Sequence, residues 1–153
     1  MITMLEIRSA LVDLLQNKAG FPYEIHFDNV KESSESYFFI DIRSRRNTFD
    51  PVYYERRLTI DIQLRLLPDE NDRIHRSELY EAADKLDMTI RPVIQIKDRF
   101  ITVQEVKNRI YSDILHYEFK LEFADYLPEP QPEKMQELEL VVSTKRPNTE
   151  KEE

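Results

Sequence analysis

The sequence predicts an α+β domain in which a mainly antiparallel sheet carries two helices on one face. Apolar residues recur at helical spacing near the N-terminus and again after residue 72, and they alternate at every second position through most other segments. The predicted order is helix, three strands, helix, three strands, which such a sheet accommodates with short connections. With 153 residues, 41% of them hydrophobic, the chain can build one such core.

The first element is a helix that begins after Thr3. Thr3 and Glu6 have the spacing of a capping box, in which each side chain accepts a bond from the other residue's backbone N–H. The apolar stripe that follows at helical spacing is Met4, Ile7, Leu11, Leu14 and Leu15. Gly20 suits the left-handed backbone that ends many helices, so we expect the helix to stop there.

Two strands are predicted next, over residues 23–28 and 37–43. The second strand places Phe38, Ile40 and Ile42 on one face. Tyr37 and Phe39 fall on its other, outward face. A sheet face that meets only water rarely carries two neighbouring aromatic side chains, so this pair predicts a subunit contact.

An arginine-rich connection over residues 43–57 predicts the tip of a long hairpin, with Asn47 and Asp50-Pro51 supplying turn residues. Tyrosine and arginine concentrate in protein interfaces, which favours a docking surface for an acidic partner or a phosphate backbone. A solvated loop whose charges serve solubility is an equally good interpretation. The candidate contact residues are Arg43, Arg45, Arg46, Tyr53, Tyr54, Arg56 and Arg57.

The third strand covers residues 58–66, where apolar and polar side chains alternate without a break. A second helix is predicted over residues 72–87, opened by Pro68-Asp69-Glu70-Asn71. Its packing stripe is Leu79, Ala82, Ala83 and Leu86. The last three strands are predicted over residues 93–96, 99–106 and 110–123, with a hairpin turn at Lys97-Asp98.

The composition changes at Leu127. Proline alternates with Glu and Gln over residues 128–132, which favours an extended and solvated chain. We therefore divide the sequence into one domain, residues 1–126, and a mobile Pro/Glu-rich tail, residues 127–153. Within the tail, Leu138 to Val142 has strand-like alternation.

Composition excludes several classes of function. The formal net charge of -8 argues against a general nucleic-acid binder. A single glycine rules out a glycine-rich phosphate loop, and the lack of cysteine rules out thiol nucleophiles and cysteine-based zinc sites. His26, His75 and His116 lack metal-ligand spacing. We thus predict no catalytic residue, metal or cofactor, and with no secretory signal or bilayer-length apolar run we expect a cytoplasmic protein with no membrane partner.

One catalytic pattern occurs in outline. Pro68-Asp69 and Glu118-Phe119-Lys120 match the PD…ExK pattern of metal-dependent nucleases, which gathers two carboxylates around one magnesium ion. A predicted helix and two strands separate the two parts, and acidic residues are favoured at a helix start in any case. Chance in a chain with 30 acidic residues is the better explanation.

The chain resembles the tail terminator proteins of long-tailed bacteriophages and phage-derived elements over most of residues 1–126. The segments that carry the resemblance are Leu14-Leu15-Gln16-Asn17, Tyr37-Phe38-Phe39-Ile40-Asp41-Ile42, Tyr53-Tyr54-Glu55-Arg56-Arg57 and Tyr117-Glu118-Phe119. The resemblance implies a non-enzymatic virion assembly protein without catalytic residues or cofactor. Such proteins form a ring, usually a hexamer, that caps the head-proximal end of the tail tube, stops its elongation and offers a surface for head joining.

The implied partners are copies of the chain itself, the tail tube protein and head connector proteins, with DNA only as passing cargo. The implied locations are the bacterial host cytoplasm during assembly and the virion tail. Three other interpretations stay open: a head-tail connector or completion protein, a nuclease that uses Asp69 and Glu118, and a small regulatory binding domain with the hairpin as its ligand surface.

Overall fold

The computed structural model describes residues 1–30 and 33–128, and within them the predicted order of helices and strands is confirmed. The elements are α1 (Met4–Asp13), a π-helical turn (Leu14–Lys18), β1 (Glu24–His26), β2 (Tyr37–Thr48), β3 (Tyr53–Arg65), α2 (Arg76–Ile90), β4 (Val93–Ile96), β5 (Arg99–Tyr111) and β6 (Ile114–Tyr126). The predicted tail, with its strand-like segment at Leu138 to Val142, lies outside the described residues beyond residue 128.

The strands form one sheet in the order β1-β2-β3-β6-β5-β4. Neighbouring strands are antiparallel except β1 and β2, which run parallel. The four inner strands have 12 or 13 residues each, whereas the edge strands β1 and β4 have three and four. We call the end of the sheet that carries the β2–β3 turn the hairpin end.

Both helices pack on the same face of this sheet, as predicted. Alternate side chains of β3 and β6 are buried in one cluster with both helices, because a strand points successive side chains to opposite faces. The buried strand residues are Leu58, Ile60, Ile62, Leu64, Leu115, Tyr117, Phe119 and Leu121, and the helical residues among them include Ile7, Leu11, Leu79 and Leu86. We call the other side of the sheet the open face.

The start and end of the first helix confirm the sequence prediction. The Thr3 N–H donates to Glu6 Oε1 at 2.7 Å, and the Glu6 N–H donates to Thr3 Oγ1 at 3.2 Å. Gly20 adopts a φ of 71°, which only glycine accepts without strain. The last turn before it is π-helical, and both Leu14 and Leu15 within it are buried.

The second helix begins at Arg76 rather than at residue 72, so its predicted start is wrong. The Asp69 carboxylate accepts the backbone N–H groups of Asn71 and Arg73 at 2.8 and 2.9 Å. These bonds, together with the positive φ of Asp72, stabilise a turn where the sequence pattern predicted the first helical turn. The helix also runs three residues further than predicted, to Ile90.

The boundary between the last two strands is also displaced. Residues 110–111, which we assigned to the last strand, belong to β5, and β6 begins at Ile114. Ser112 and Asp113 between them both have positive φ, at 52° and 59°. That geometry is the two-residue turn that best matches the twist of paired strands, although neither residue is the glycine that usually signals it.

Two side-chain contacts fix the helices on the sheet. The Tyr117 hydroxyl donates to Asp87 Oδ1 at 2.9 Å and so joins β6 to the end of α2. Burial, followed by this bond to a carboxylate, raises the pKa of the Tyr117 hydroxyl. At the start of α1, Lys97 Nζ lies 2.8 Å from Glu6 Oε2 and joins the β4–β5 turn to the capping box. No helix in the described ranges is long and apolar enough to cross a membrane.

The Glu6 contacts predict a specific response to acid. The bond from Lys97, followed by the Thr3 N–H, lowers the pKa of Glu6 from 4.5 to about 2. A carboxyl group with a lowered pKa stabilises the fold above its unfolded pKa and loses that contribution as pH falls through the folded value. We expect Glu6→Gln to be less stable than the parent at pH 7, with the difference shrinking between pH 4.5 and 2. Urea unfolding at a series of pH values measures this, and a constant difference would contradict it.

Candidate interaction surfaces

The arginine-rich segment is mostly strand. β2 and β3 pair along their full length, from Tyr37 opposite Arg65 to Thr48 opposite Tyr54. The long hairpin is confirmed, but its predicted connection of residues 43–57 is wrong, because only residues 49–52 lie between the strands. Because polar residues dominate this part of β2, its sequence lacks the apolar alternation that predicts a strand. The backbone nevertheless pairs with β3, since that pairing does not depend on side-chain polarity.

The strand register divides the seven candidate contact residues between the two faces of the sheet. Because Leu58 is buried beneath the helices, every second residue before it along β3 also points toward the helix-covered face. The residues on that face are Tyr54, Arg56 and, opposite Arg56, Arg46. The residues on the open face are Arg43, Arg45, Tyr53 and Arg57. The seven therefore do not form one contact surface.

Arg56 is the centre of a buried polar network. Its side chain is fully buried, with Nη1 3.8 Å from Asp125 Oδ2, and Nη1 also donates to the Ile2 carbonyl. Its Nε donates to Ser44 Oγ at 3.4 Å. Desolvation lowers the pKa of Arg56. Because the ordinary pKa of a guanidinium lies far above neutral pH, the side chain stays charged. The network joins three strands to the N-terminal segment.

Asp125 completes this network from β6. Its Oδ2 accepts the Ile2 N–H at 2.9 Å and the Tyr54 hydroxyl at 3.3 Å. Burial, followed by the nearby Asp125 charge, raises the pKa of the Tyr54 hydroxyl. Tyr54 and Arg56 are thus internal to this chain, and their predicted role as contact residues remains a prediction that their burial does not support. Asp125 lies 69 residues after Arg56 in the sequence, so no local sequence pattern indicates that the two side chains pair.

An exposed apolar patch occupies the hairpin end. Five side chains there are between 47 and 63% exposed, and we call them the tip patch: Phe49, Val52, Tyr53, Tyr126 and Leu127. The rings of Tyr53 and Tyr126 lie 6.4 Å apart, and the Leu127 N–H donates to the Val52 carbonyl at 2.8 Å. Of these five residues only Tyr53 was predicted from the sequence, because the other four come from a turn and from a strand end.

The turn beneath the tip patch is held by one carboxylate. Asp50 Oδ1 accepts the backbone N–H groups of Val52 and Tyr53 at 2.8 and 2.7 Å. These two bonds lower the pKa of Asp50, Tyr53 contributing more than Val52. The patch is consequently displayed on an ordered turn rather than on a loose loop.

Two exposed arginines lie on β2, three and four residues before Phe49. Arg45 and Arg46 are exposed near the end of β2, and Arg46 places its guanidinium 5.7 Å from the Tyr54 ring. Neither forms an ion pair with a residue of the described part of the chain. The hairpin end therefore combines an apolar centre with positive charge at its side, a composition typical of protein contact surfaces.

The open face is charged, and three of its cations pair with carboxylates on other strands. Arg43 Nη2 lies 3.3 Å from Glu118 Oε1, and Arg57 Nε lies 3.5 Å from Glu122 Oε2. Lys120 Nζ lies 2.7 Å from Glu105 Oε2. Arg43 and Arg57, which the sequence placed in a connection, are thus members of cross-strand pairs on a sheet.

The outward aromatics, Tyr37 and Phe39, have partners within the same chain. Tyr37 is only 8% exposed and Phe39 is half-buried. The Arg65 guanidinium lies 5.9 and 5.4 Å from the two ring centroids, and the His26 ring packs edge-on against Tyr37 at 5.2 Å. The nearby Arg65 guanidinium and the edge-on His26 ring account for aromatic side chains on this face without a neighbouring subunit. The predicted subunit contact through this pair remains a prediction.

The residues of the nuclease pattern have separate partners. Besides its backbone bonds, Asp69 lies 3.0 Å from His75 Nε2, while Glu118 pairs with Arg43. The other two histidines each lie beside a single carboxylate as well, His26 beside Glu24 and His116 beside Asp61. Within the described residues no group of three such side chains is placed to hold a metal ion.

A family model described as "Phage tail terminator protein" matches residues 6–133. No curated protein matches the chain. Among solved structures, one without a functional name is 15% identical and covers 86% of this chain and 100% of its own, with a TM-score of 0.43. At that level the structural likeness supports no conclusion about function.

The buried network predicts a clear difference between two arginines of the same hairpin. Arg56→Ala removes the fully buried guanidinium from Asp125 and from the Ile2 carbonyl, and it leaves Asp125 with the Met1 ammonium and Arg99, each 3.9 Å from its Oδ1. Because these two partners are partly exposed, we expect a loss of about 3 kcal/mol of unfolding free energy, the lower end for a broken buried pair. Arg45→Ala removes an exposed side chain and should change the unfolding free energy by no more than ~0.5 kcal/mol. Urea denaturation followed by circular dichroism measures both. Equal stability of the two variants would show that the network is not important to the fold.

Proposed function

The chain belongs to the phage tail terminator family, and from this membership we propose that it forms a ring that caps the tail tube, stops its elongation and presents a surface for head joining. Membership of this family gives the chain a role in phage tail assembly, as a structural component of the virion tail. The proposal rests on the family match over residues 6–133. This range includes every described helix and strand, except that α1 begins two residues before it.

A ring requires a subunit whose two sides differ and fit each other. Rings are built from heterologous contacts, in which one patch of a subunit meets a different patch of the next, and the rotation closes. The two edges of this sheet differ in this way, since one ends in β1 and the other in β4. This asymmetry supports a head-to-tail ring, for which six copies is the number that the family resemblance implies.

The tip patch is the contact surface that we assign to the tail tube. A concentration of exposed aromatic and aliphatic side chains at one end of a sheet is typical of a protein-binding site. If the strands run along the ring axis, all hairpin ends lie on one side of the ring. That arrangement presents a circle of apolar patches with adjacent arginines, Arg45 and Arg46, to the end of the tube. The opposite side then faces the head connector proteins.

Charge pairing on the open face supports DNA as cargo rather than as a ligand. Binding to phosphates requires cations that are free to replace counterions. Arg43, Arg57 and Lys120 instead lie beside carboxylates, and the whole chain carries a net charge of -8. Pairing of these three cations and the negative net charge weaken the attraction of such a surface for passing DNA.

The proposal is tested by tube assembly in vitro. Tail tube protein from the same genome is polymerised with increasing amounts of this chain, and tube lengths are measured by negative-stain electron microscopy. We expect the chain to shorten the length distribution and to form a ring at one tube end. Unchanged lengths, together with rings on capsid portals, would favour the head-tail connector alternative.

Substitutions in the tip patch test the assigned contact. We expect Phe49→Ser with Tyr126→Ser to require at least about tenfold more protein to stop elongation, because a few central apolar side chains dominate most interfaces. The matched control is Tyr80→Ser with Met88→Ser, which removes two exposed apolar side chains from α2. Equal capping by the two double variants would remove the tip patch from the mechanism. Arg45 and Arg46 are suitable for charge reversal, but Arg56 is not, because it is buried.

A further inference from the structure

Both edges of the sheet carry strand backbone that has a neighbour on one side only. β1 pairs with Tyr37–Phe39 of β2, and in the described residues no strand lies on its other side. β4 pairs only with residues 99–102 of β5. Val103 then donates its N–H to the Pro92 carbonyl, and the rest of β5, residues 104–111, has β6 alone as a described strand partner. Such edges are templates for strand addition.

We propose that β1 of one copy pairs with the last residues of β5, 109–111, in the next copy. This inference rests on the proposed function only in taking the occupant to be a second copy within a ring. β5 runs antiparallel to β6 and therefore antiparallel to β1 and β2. When two copies stand side by side in the same orientation, β1 and the neighbouring β5 meet as an antiparallel pair.

One row of side chains fixes the register of this contact. The row crosses the whole sheet through hydrogen-bonded neighbours: Ile25, Phe38, Leu64, Leu115 and Ile110. Ile25 and Ile110 are the two ends of the row, and both are half-buried against the core. A second copy placed without any shift along the strands brings Ile110 of one copy beside Ile25 of the next. The apolar row then continues from subunit to subunit.

The charges of the two edges are opposite on the open face. The row on one side of the apolar row begins with Glu24 on β1, and the row on its other side ends with Arg109 on β5. Both are exposed, and Glu24 has only the His26 imidazole as an ion-pair partner in the described residues. The proposed register sets Glu24 opposite Tyr111 and diagonal to Arg109, within reach of a long side chain.

The edge strands of neighbouring copies do not compete for space. β4 covers the part of β5 nearest the hairpin end, and the incoming β1 would cover the part at the opposite end. Residues 103–108 separate the two positions. β4 of one copy and β1 of the next would thus pair with different parts of the same edge of β5. This complementarity favours a second copy of the chain over an unrelated extended peptide.

Cysteine cross-linking tests the contact directly. The sequence contains no cysteine, so Glu24→Cys with Tyr111→Cys introduces the only two thiols. Within one copy these positions are four strand spacings apart, about 19 Å, which is too far for a disulfide. We expect mild oxidation, in solution or on tail tubes, to give a ladder of covalent oligomers that ends at the closed ring. The matched control, Glu24→Cys with Tyr80→Cys, should give no ladder.

A charge exchange provides the second measurement. Arg109→Glu and Glu24→Arg should each weaken ring formation by about fivefold, the effect of one exposed ion pair. The variant with both substitutions should regain association close to that of the parent. If the effects of the two substitutions instead multiply, the two side chains do not meet and the proposed register is wrong.

The outcomes separate this inference from the proposed function. Cross-linked rings that fail to cap tail tubes would support the edge contact and contradict the proposed function. Capped tubes without a disulfide between positions 24 and 111 would support the proposed function and overturn the edge contact. A chain that associates neither in solution nor on tubes would overturn the edge contact as well.

Discussion

The pairing of β3 with β6 is the constraint on which the rest of the structure depends. It joins 13 residue pairs in one antiparallel register, and alternation along both strands places one set of side chains beneath the helices. A slip of one residue would move Leu58, Ile60, Ile62 and Leu64 from the core into water. The same register decides that Arg56 is internal while its neighbour Arg57 belongs to the open face.

Several surfaces follow from this one arrangement. The helices cover one face, and ion pairs across strands stabilise the other. The network around Arg56 and Asp125 fastens the N-terminal segment beneath the hairpin end, and the Asp50 turn holds the tip patch beyond it. Because the edge strands β1 and β4 are short, each long strand beside them keeps part of its edge free. A subunit of this kind has separate surfaces for a tube and for its own copies, as the proposed ring requires.

The sequence was sufficient for features that depend on local chemistry. The capping box of Thr3, the left-handed Gly20 and the helix-covered face of residues 58–64 were all predicted, since each is set by spacing along a few residues. Features set by residues distant in the sequence were not predicted. The burial of Arg56 depends on Asp125, and the late start of α2 depends on how the Asp69 carboxylate bonds the following backbone. Tyr37 and Phe39 suggested a subunit contact because their cover, Arg65, lies on another strand.

The most direct test of the proposed ring is a cryo-electron-microscopy reconstruction of tail tube ends with this chain bound. We expect a single closed ring at one end of each tube, with strands along the ring axis and hairpin ends against the last layer of tube subunits. Separate subunits scattered along the side of the tube would contradict it. So would a ring in which the tip patch faces away from the tube.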